Sequence, residues 1–209
     1  MSRTMGMFPL STVLFPHAPL PLHVFEERYK ALMGDCMATD GAFGVVLIAR
    51  GSEVGGGDER VDVGTIARVT HLTELQDGRM LVMARGVDRI LVERWLDDSP
   101  YPRAEVDDLP LGRGDADAPA VAAAEHAVRR LRSLLSELGQ VPALPHDLAL
   151  DGHPVETGWR LCDLAPLALI DRQRLLACGG LGEQMELLCE LSTAMAGDVV
   201  SLLADGGAV

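Results

Sequence analysis

The sequence predicts an α+β protein in which a β-rich N-terminal part with one embedded helix is followed by a C-terminal helical bundle. Two observations carry this prediction. Short apolar runs separated by Gly and Pro fill the first 110 residues or so, and apolar residues at helical spacing dominate the rest. Between the two parts, residues 109–119 mix Gly, Asp and Pro, which is typical of a linker. We therefore expect two domains, at residues 1–110 and 111–209.

The strands begin with an apolar run at residues 8–16, bracketed by prolines. Proline suits strand ends and edges because it has no N–H to donate to a ladder. Three prolines between residues 16 and 21 require an extended path there. Residues 43–49 form a fully apolar run bounded by glycines, which predicts a strand buried on both faces.

A short helix is predicted from Phe25 onward. Apolar side chains recur there at helical spacing, at Phe25, Tyr29, Leu32, Met33 and Cys36. We expect both aromatic rings to be buried, because they share a face with core residues. Truncation of a buried Phe25 to Ala would then cost about 3–5 kcal/mol.

A β-hairpin is predicted at Asp77-Gly78, where two alternating segments, residues 61–75 and 79–95, meet. A two-residue turn of this type needs positive φ at both positions. Gly86 indicates a bulge in the returning strand, and residues 101–106 are typical of a last strand. About six strands result, enough to curl into a small barrel. Residues 50–60, with three central glycines, are predicted to be a surface loop.

Helical patterns occupy the second half of the chain. We expect helices over residues 121–138, 156–164, 169–178 and 181–203.

Charge excludes some classes of partner. The chain has 31 acidic and 18 basic residues, a net charge of −13, which repels phosphate backbones and anionic lipid. We therefore expect neither nucleic acid nor a membrane as a partner. The sequence has neither 18 continuous apolar residues nor the apolar core of a signal peptide, so we expect a cytoplasmic protein with reduced, buried cysteines.

No catalytic, metal or cofactor site is predicted from motifs. Lys30 is the only lysine and follows Tyr29 in the amphipathic helix, which excludes a phosphate-binding loop and a Ser-Lys dyad. The sequence also lacks a G-x-S-x-G elbow, a G-x-G-x-x-G fingerprint and any H-E-x-x-H arrangement. From the residues alone, we find no active site.

The order of local motifs resembles the N-terminal substrate-binding domain of the Lon protease family. The resemblance is strong over residues 7 to 107 and looser in the helical half. The family more often has Gly at His17. The motifs that carry the resemblance are Phe8-Pro9-Leu10, Leu14-Phe15-Pro16, Leu20-Pro21-Leu22-His23-Val24-Phe25-Glu26-Glu27-Arg28-Tyr29, Phe43-Gly44-Val45-Val46-Leu47, Val63-Gly64-Thr65-Ile66-Ala67-Arg68-Val69, Arg85-Gly86-Val87-Asp88-Arg89-Ile90 and Tyr101-Pro102-Arg103-Ala104-Glu105-Val106.

The resemblance implies a PUA-like β-barrel followed by helices, without the ATPase and protease domains of a full Lon protease. It also implies a non-enzymatic module that binds unfolded or extended polypeptide, accessory to a protease or chaperone-like. The alternatives are an RNA-binding PUA-like protein and a hydrolase with an unrecognised site. A binding surface would be the groove between barrel and helices or an exposed apolar patch. Candidate ligand-contacting residues are His23, Phe25, Glu26, Arg28 and Tyr29.

Overall fold

The computed structural model describes residues 2–50, 59–111, 118–145, 147–150 and 152–206. The chain divides into two compact units, Met1–Pro110 and Leu111–Val209. Most of the glycine-rich loop predicted at residues 50–60 and most of the linker predicted at 109–119 lie outside the described residues.

In the part of the first unit that the structure describes, the chain forms a six-stranded sheet and one helix. In chain order its elements are β1 (Arg3–Leu10), β2 (Pro19–Val24), α1 (Glu27–Met37), β3 (Ala42–Arg50), β4 (Glu59–Glu74), β5 (Met80–Leu96) and β6 (Arg103–Asp108). The strand order is β2-β5-β4-β3-β1-β6, and β5 also pairs with β6. Only β1 and β3 run parallel among the described pairs. The chain thus has the mixed α+β character that the sequence predicts.

The core of this unit forms where inward-facing side chains of the strands meet. Six of the nine residues of β3, Phe43 to Ile48, are buried in succession, as expected for a strand covered on both faces. The buried cluster consists of Met7, Val46, Ile66, Ile90, Val92, Ala104 and Val106.

The predicted hairpin is confirmed, but its turn is longer than expected. Leu75 N–H donates to the Arg79 carbonyl at 2.8 Å, so the loop inside this closing pair has three residues, 76–78, and not two. Of the two predicted turn residues, Gly78 has positive φ, at 77°, whereas Asp77 does not. Asp77 instead accepts a hydrogen bond from the Arg79 backbone at 3.1 Å, and the turn closes with glycine in the left-handed region.

The backbone of the segment before β2 lies close to the backbone of β5 at Gly86. Thr65 and Ala67 of β4 pair with Arg89 and Gly86 of β5, so β5 has one extra residue between these two pairs. This is the bulge predicted at Gly86. Gly86 N–H donates to the Ala18 carbonyl and the Gly86 carbonyl accepts from His17 N–H, both at 2.9 Å. A side chain on Gly86 would collide with the Phe15 carbonyl oxygen.

The described residues of the second unit form four helices, close to their predicted positions. They are α2 (Ala118–Glu137), α3 (Pro154–Leu164), α4 (Leu169–Ala177) and α5 (Leu181–Gly206). A buried cluster joins α2 to α5 through Leu131, Leu135, Ala196 and Val199. Arg132 ties α2 to the following segments by donating to the carbonyls of Leu164 and Pro142.

Among the described helices, α5 contains one stretch, Leu181–Ala204, that is long and apolar enough to cross a membrane by length and composition alone. This is weak evidence, since core helices of soluble proteins pass the same test. One face of the helix carries buried residues, and Leu188, Ala196 and Val199 are among them.

The cysteines are free, and Cys36, Cys162 and Cys178 are buried as predicted. Burial, followed by the nearby carboxylates of Asp35 and Asp40, raises the pKa of the Cys36 thiol to about 11. Burial also raises the pKa of Cys162. Both thiols therefore stay protonated near neutral pH, and protonated thiols are poor nucleophiles.

We predict that His17→Gly stabilises the protein. The φ of His17 is 65°, a conformation that suits glycine, and it lies at the third position of a turn in which Ala18 N–H donates to the Phe15 carbonyl at 3.2 Å. Relief of this strain should exceed the entropic cost of glycine and raise the free energy of unfolding by about 0.5–1 kcal/mol. Urea denaturation checks this, with His17→Val as the control that should lose stability. A less stable His17→Gly protein would contradict the prediction.

We predict that Tyr101→Phe loosens α1 and removes an alkaline transition. The Tyr101 hydroxyl donates to Asp35 Oδ2 at 2.6 Å. Burial, followed by this hydrogen bond, raises the pKa of Tyr101 to about 12. Because an unfolded tyrosine titrates near pH 10, the stabilisation is present below about pH 10 and is lost as the pH rises through 12.

The variant should lose about 1–2 kcal/mol at neutral pH. It should also show a smaller fall in stability than the wild type between pH 10 and 12. Urea denaturation as a function of pH measures both. An identical pH profile in the two proteins would contradict the account.

Candidate functional site

The strongest candidate for a ligand site is a cleft where β2 turns into α1. It has a volume of about 280 Å³, near the lower end of the roughly 300–1,000 Å³ typical of small-ligand pockets. A space of this size fits one or two side chains of a bound polypeptide. Its lining residues are Phe8, Leu10, Thr12, Leu20, Pro21, Leu22, His23, Val24, Phe25, Glu26 and Tyr29.

The path of β2 follows from its two prolines. Gly86 N–H donates to the Ala18 carbonyl, so in the alternating antiparallel ladder the backbone groups of the even-numbered residues point toward β5. Pro19 and Pro21 therefore point their nitrogens away from β5, where the missing N–H breaks no ladder bond. Within the described residues, β5 is the one strand that pairs with β2, so the opposite edge of β2 is short of donors.

That edge does not favour pairing with another strand. A strand added to β2 would need N–H groups at positions where proline has none. A polypeptide bound in the cleft is consequently held by its side chains more than by a shared ladder.

Stacked rings line the inner wall of the cleft. Tyr29, on the first turn of α1, lies parallel to Phe8, with ring centroids 4.0 Å apart and an angle of 7° between the planes. Phe8 also contacts Phe43 of β3, at 6.2 Å. Tyr29 is only 4% exposed, as predicted. These contacts fix α1 against the strands.

Phe25 also lines the cleft, but it is not buried. The sequence-based expectation was wrong here: Phe25 is 53% exposed. Helix α1 begins at Glu27 and Glu26 is its extended N-cap, so Phe25 precedes the helix and does not share the face of Tyr29. The helical spacing of the two rings was therefore a coincidence of sequence. The Phe25 ring instead meets His23 edge-on, at 6.3 Å.

Charges at the rim are paired. Arg28 Nε donates to Glu26 Oε2 at 2.9 Å, and both side chains are partly buried. The Arg28 guanidinium also lies 4.5 Å from the centre of the Tyr29 ring, a cation–π contact. Lys30 pairs with Glu27 at 2.8 Å. The rim is therefore polar but close to neutral.

The structure brings the five sequence-based candidates together. Four of them, His23, Phe25, Glu26 and Tyr29, line the cleft, and Arg28 contacts two of these. The wall from β1 and the segment after it was missed, namely Phe8, Leu10 and Thr12. The periodicity of the sequence could not predict that β1 lines the same cleft as β2, because β1 pairs with β3 and β6 and not with β2.

The lining of this cleft suits the binding of apolar side chains. Its carboxylate is held by Arg28, and its remaining lining is mostly apolar or aromatic. Among the described residues, no group of three or more His, Cys, Asp or Glu side chains could hold a metal ion. An apolar cleft with aromatic walls and a polar rim is typical of sites that take apolar side chains.

Comparison with known proteins gives the same N-terminal domain repeatedly. The family model for the ATP-dependent protease La (LON) substrate-binding domain matches residues 4–193. The Lon protease of Xanthomonas oryzae is 29% identical over 187 residues, which cover 86% of this chain and 21% of that protein. A LON peptidase N-terminal domain and RING finger protein of Schizosaccharomyces pombe is 28% identical over 117 residues, 49% of this chain and 24% of that protein.

A solved structure is also similar. The crystal structure of a Lon N-terminal domain protein from Xanthomonas campestris matches with a TM-score of 0.66 and 28% identity, over 89% of this chain and 96% of that one. The chain spans about a fifth to a quarter of the length of the curated relatives named above.

We predict that truncation of Tyr29 destabilises the protein far more than truncation of Phe25. Tyr29→Ala leaves a cavity beside Phe8 and should cost about 3–5 kcal/mol. Phe25→Ala removes an exposed ring and should change the free energy of unfolding by less than about 1 kcal/mol. Urea denaturation followed by circular dichroism measures both. Equal losses in the two variants would contradict the placement of Phe25 outside the core.

Proposed function

The chain belongs to the family of Lon substrate-binding domains, and on that premise we propose that it is a non-enzymatic module that binds unfolded or extended polypeptide. The family is one of substrate-recognition domains, and the finer statement rests on the cleft between β2 and α1. The observation that carries it is Phe25, a large aromatic side chain held half-exposed at the mouth of an apolar cleft. Exposed aromatic rings of this kind contribute strongly to polypeptide binding.

We also propose that the first unit is a PUA-like barrel and the second a helical bundle, together one unit of the Lon N-terminal type. The strands β1, β3, β4, β5 and β6 each pair with two others of this set, so their pairings form a ring. Such a ring suits a small barrel that leaves β2 as a short edge.

The kind of protein that carries such a domain supports a role as an accessory to proteolysis or as a chaperone-like factor. The relative in Schizosaccharomyces pombe combines it, by name, with a RING finger. We propose that this chain likewise presents polypeptides to a partner, a protease or a chaperone, in the cytoplasm.

The alternatives have less support. An RNA-binding role conflicts with a net charge of −13. A hydrolase needs a nucleophile and a base within reach of each other. The one carboxylate that lines the cleft, Glu26, is already paired with Arg28. Outside the cleft, the buried thiols of Cys36 and Cys162 have raised pKa values, which makes them poor nucleophiles.

We predict that Phe25→Ala weakens polypeptide binding without unfolding the protein. Fluorescence anisotropy with a labelled ten-residue peptide that contains two or three aliphatic or aromatic residues should give saturable, micromolar binding. Loss of the Phe25 ring should weaken it about 5–20-fold, which corresponds to 1–2 kcal/mol.

The matched control is Met37→Ala. Met37 ends α1 and is as exposed as Phe25, at 54%, but does not line the cleft. Its removal should leave the affinity unchanged. Absence of saturable binding at high micromolar concentrations, or an equal loss in both variants, would overturn the proposal.

A further inference from the structure

The outer surface of three neighbouring strands carries a set of exposed side chains in register. Directly opposite residues of antiparallel strands project to the same side of a sheet. Three rows of opposite residues cross β4, β5 and β2, and all nine of their members are exposed. We call this set the outer face: Arg68, Arg85 and Pro19 in the first row, His71, Met83 and Pro21 in the second, and Thr73, Leu81 and His23 in the third.

The outer face has the opposite charge character to the chain. None of its nine residues is Asp or Glu, although the chain has 31 acidic residues and 18 basic ones. Arg85 donates to the backbone carbonyl of His17 at 3.2 Å, a neutral acceptor that leaves its charge in place. At the corner of the face, the charge of Arg68 is partly offset by Asp40, whose carboxylate lies 3.4 Å away.

The centre of the outer face is apolar. Leu81 and Met83 are 46% and 42% exposed, and each lies opposite a residue of β2. Phe25 follows β2 and contacts His23 at the end of the third row. Apolar side chains exposed side by side and surrounded by polar groups are typical of an interaction surface.

We propose that the outer face docks a segment of polypeptide that combines apolar with acidic residues. This inference rests on the proposed function and adds a preference to it. The cationic residues would attract Asp and Glu of the segment, and Leu81 and Met83 would bury its apolar side chains. A nucleic acid fits less well, because a phosphate backbone gains nothing from the apolar centre formed by Leu81 and Met83.

One extended segment can reach both surfaces. Pro21 and His23 belong to the outer face and also line the cleft, so the two adjoin along β2. Neighbouring strands lie about 4.8 Å apart, so a chain crossing from β2 to β4 spans about 10 Å, or three extended residues. A segment of about ten residues is long enough for the cleft and the outer face together.

The test uses three labelled ten-residue peptides with identical apolar residues and spacers of Glu, Ser or Lys, measured by fluorescence anisotropy with the full chain. We expect the Glu peptide to bind at least tenfold more tightly than the Lys peptide at low salt. The difference should shrink at 0.5 M NaCl, because exposed charges are then screened.

Three variants show whether the preference depends on the outer face. Arg85→Glu should abolish the preference for the Glu peptide, whereas Arg160→Glu, the same charge change at an exposed site on α3, should preserve it. Met83→Ser should lower the affinity for all three peptides several-fold. Circular dichroism confirms that each variant is folded.

Other outcomes overturn the inference. Equal binding of the three peptides would refute the acidic preference but leave the cleft proposal intact, whereas no binding of any peptide would refute both. Tighter binding of oligouridylate, or of phosphatidylglycerol vesicles, lost in Arg85→Glu, would show that the outer face serves nucleic acid or lipid instead.

Discussion

The stacked contact between Phe8 and Tyr29 is the interaction on which the candidate site depends. It joins β1, which lies four strands away from β2 in the sheet order, to α1, and both of its rings line the cleft. The hydrogen bond from Tyr101 to Asp35 holds the same helix near its other end. With α1 fixed at two points, the short connection from β2 has no freedom to fold Phe25 inward. The exposure of Phe25 is thus a consequence of how α1 is held.

The two prolines of β2 limit how a polypeptide can bind beside the cleft. The edge of β2 opposite β5 lacks the donors of Pro19 and Pro21, which protects the sheet from pairing with other chains. In the function proposed here, such protection matters because the strands of a bound unfolded polypeptide could otherwise pair with this edge. A cleft that selects side chains, beside an edge that resists strand addition, allows reversible binding without growth of a sheet.

Local patterns predicted most elements of this fold because each depends on neighbours in sequence. The strand buried on both faces, the hairpin at Gly78, the bend at Gly86 and the four later helices all appear near their expected positions. The family motif singled out the residues from His23 to Tyr29, which do gather around one cleft.

The errors arose where tertiary contacts override spacing. Phe25 matches the helical period but lies outside α1, because the extended N-cap at Glu26 starts the helix two residues later. The wall formed by Phe8 and Leu10 depends on long-range packing that no local pattern encodes. The outer face emerges only from the register of three strands, which the sequence alone did not specify.

Nuclear magnetic resonance of the isotope-labelled full chain, titrated with a reduced and carboxymethylated polypeptide that cannot fold, tests the central claim most directly. The account predicts that the largest shift changes fall on residues 8–12 and 20–29, which surround the cleft, and extend to Leu81 and Met83. Shift changes centred on the helices of the second unit, or none at saturating polypeptide, would contradict it.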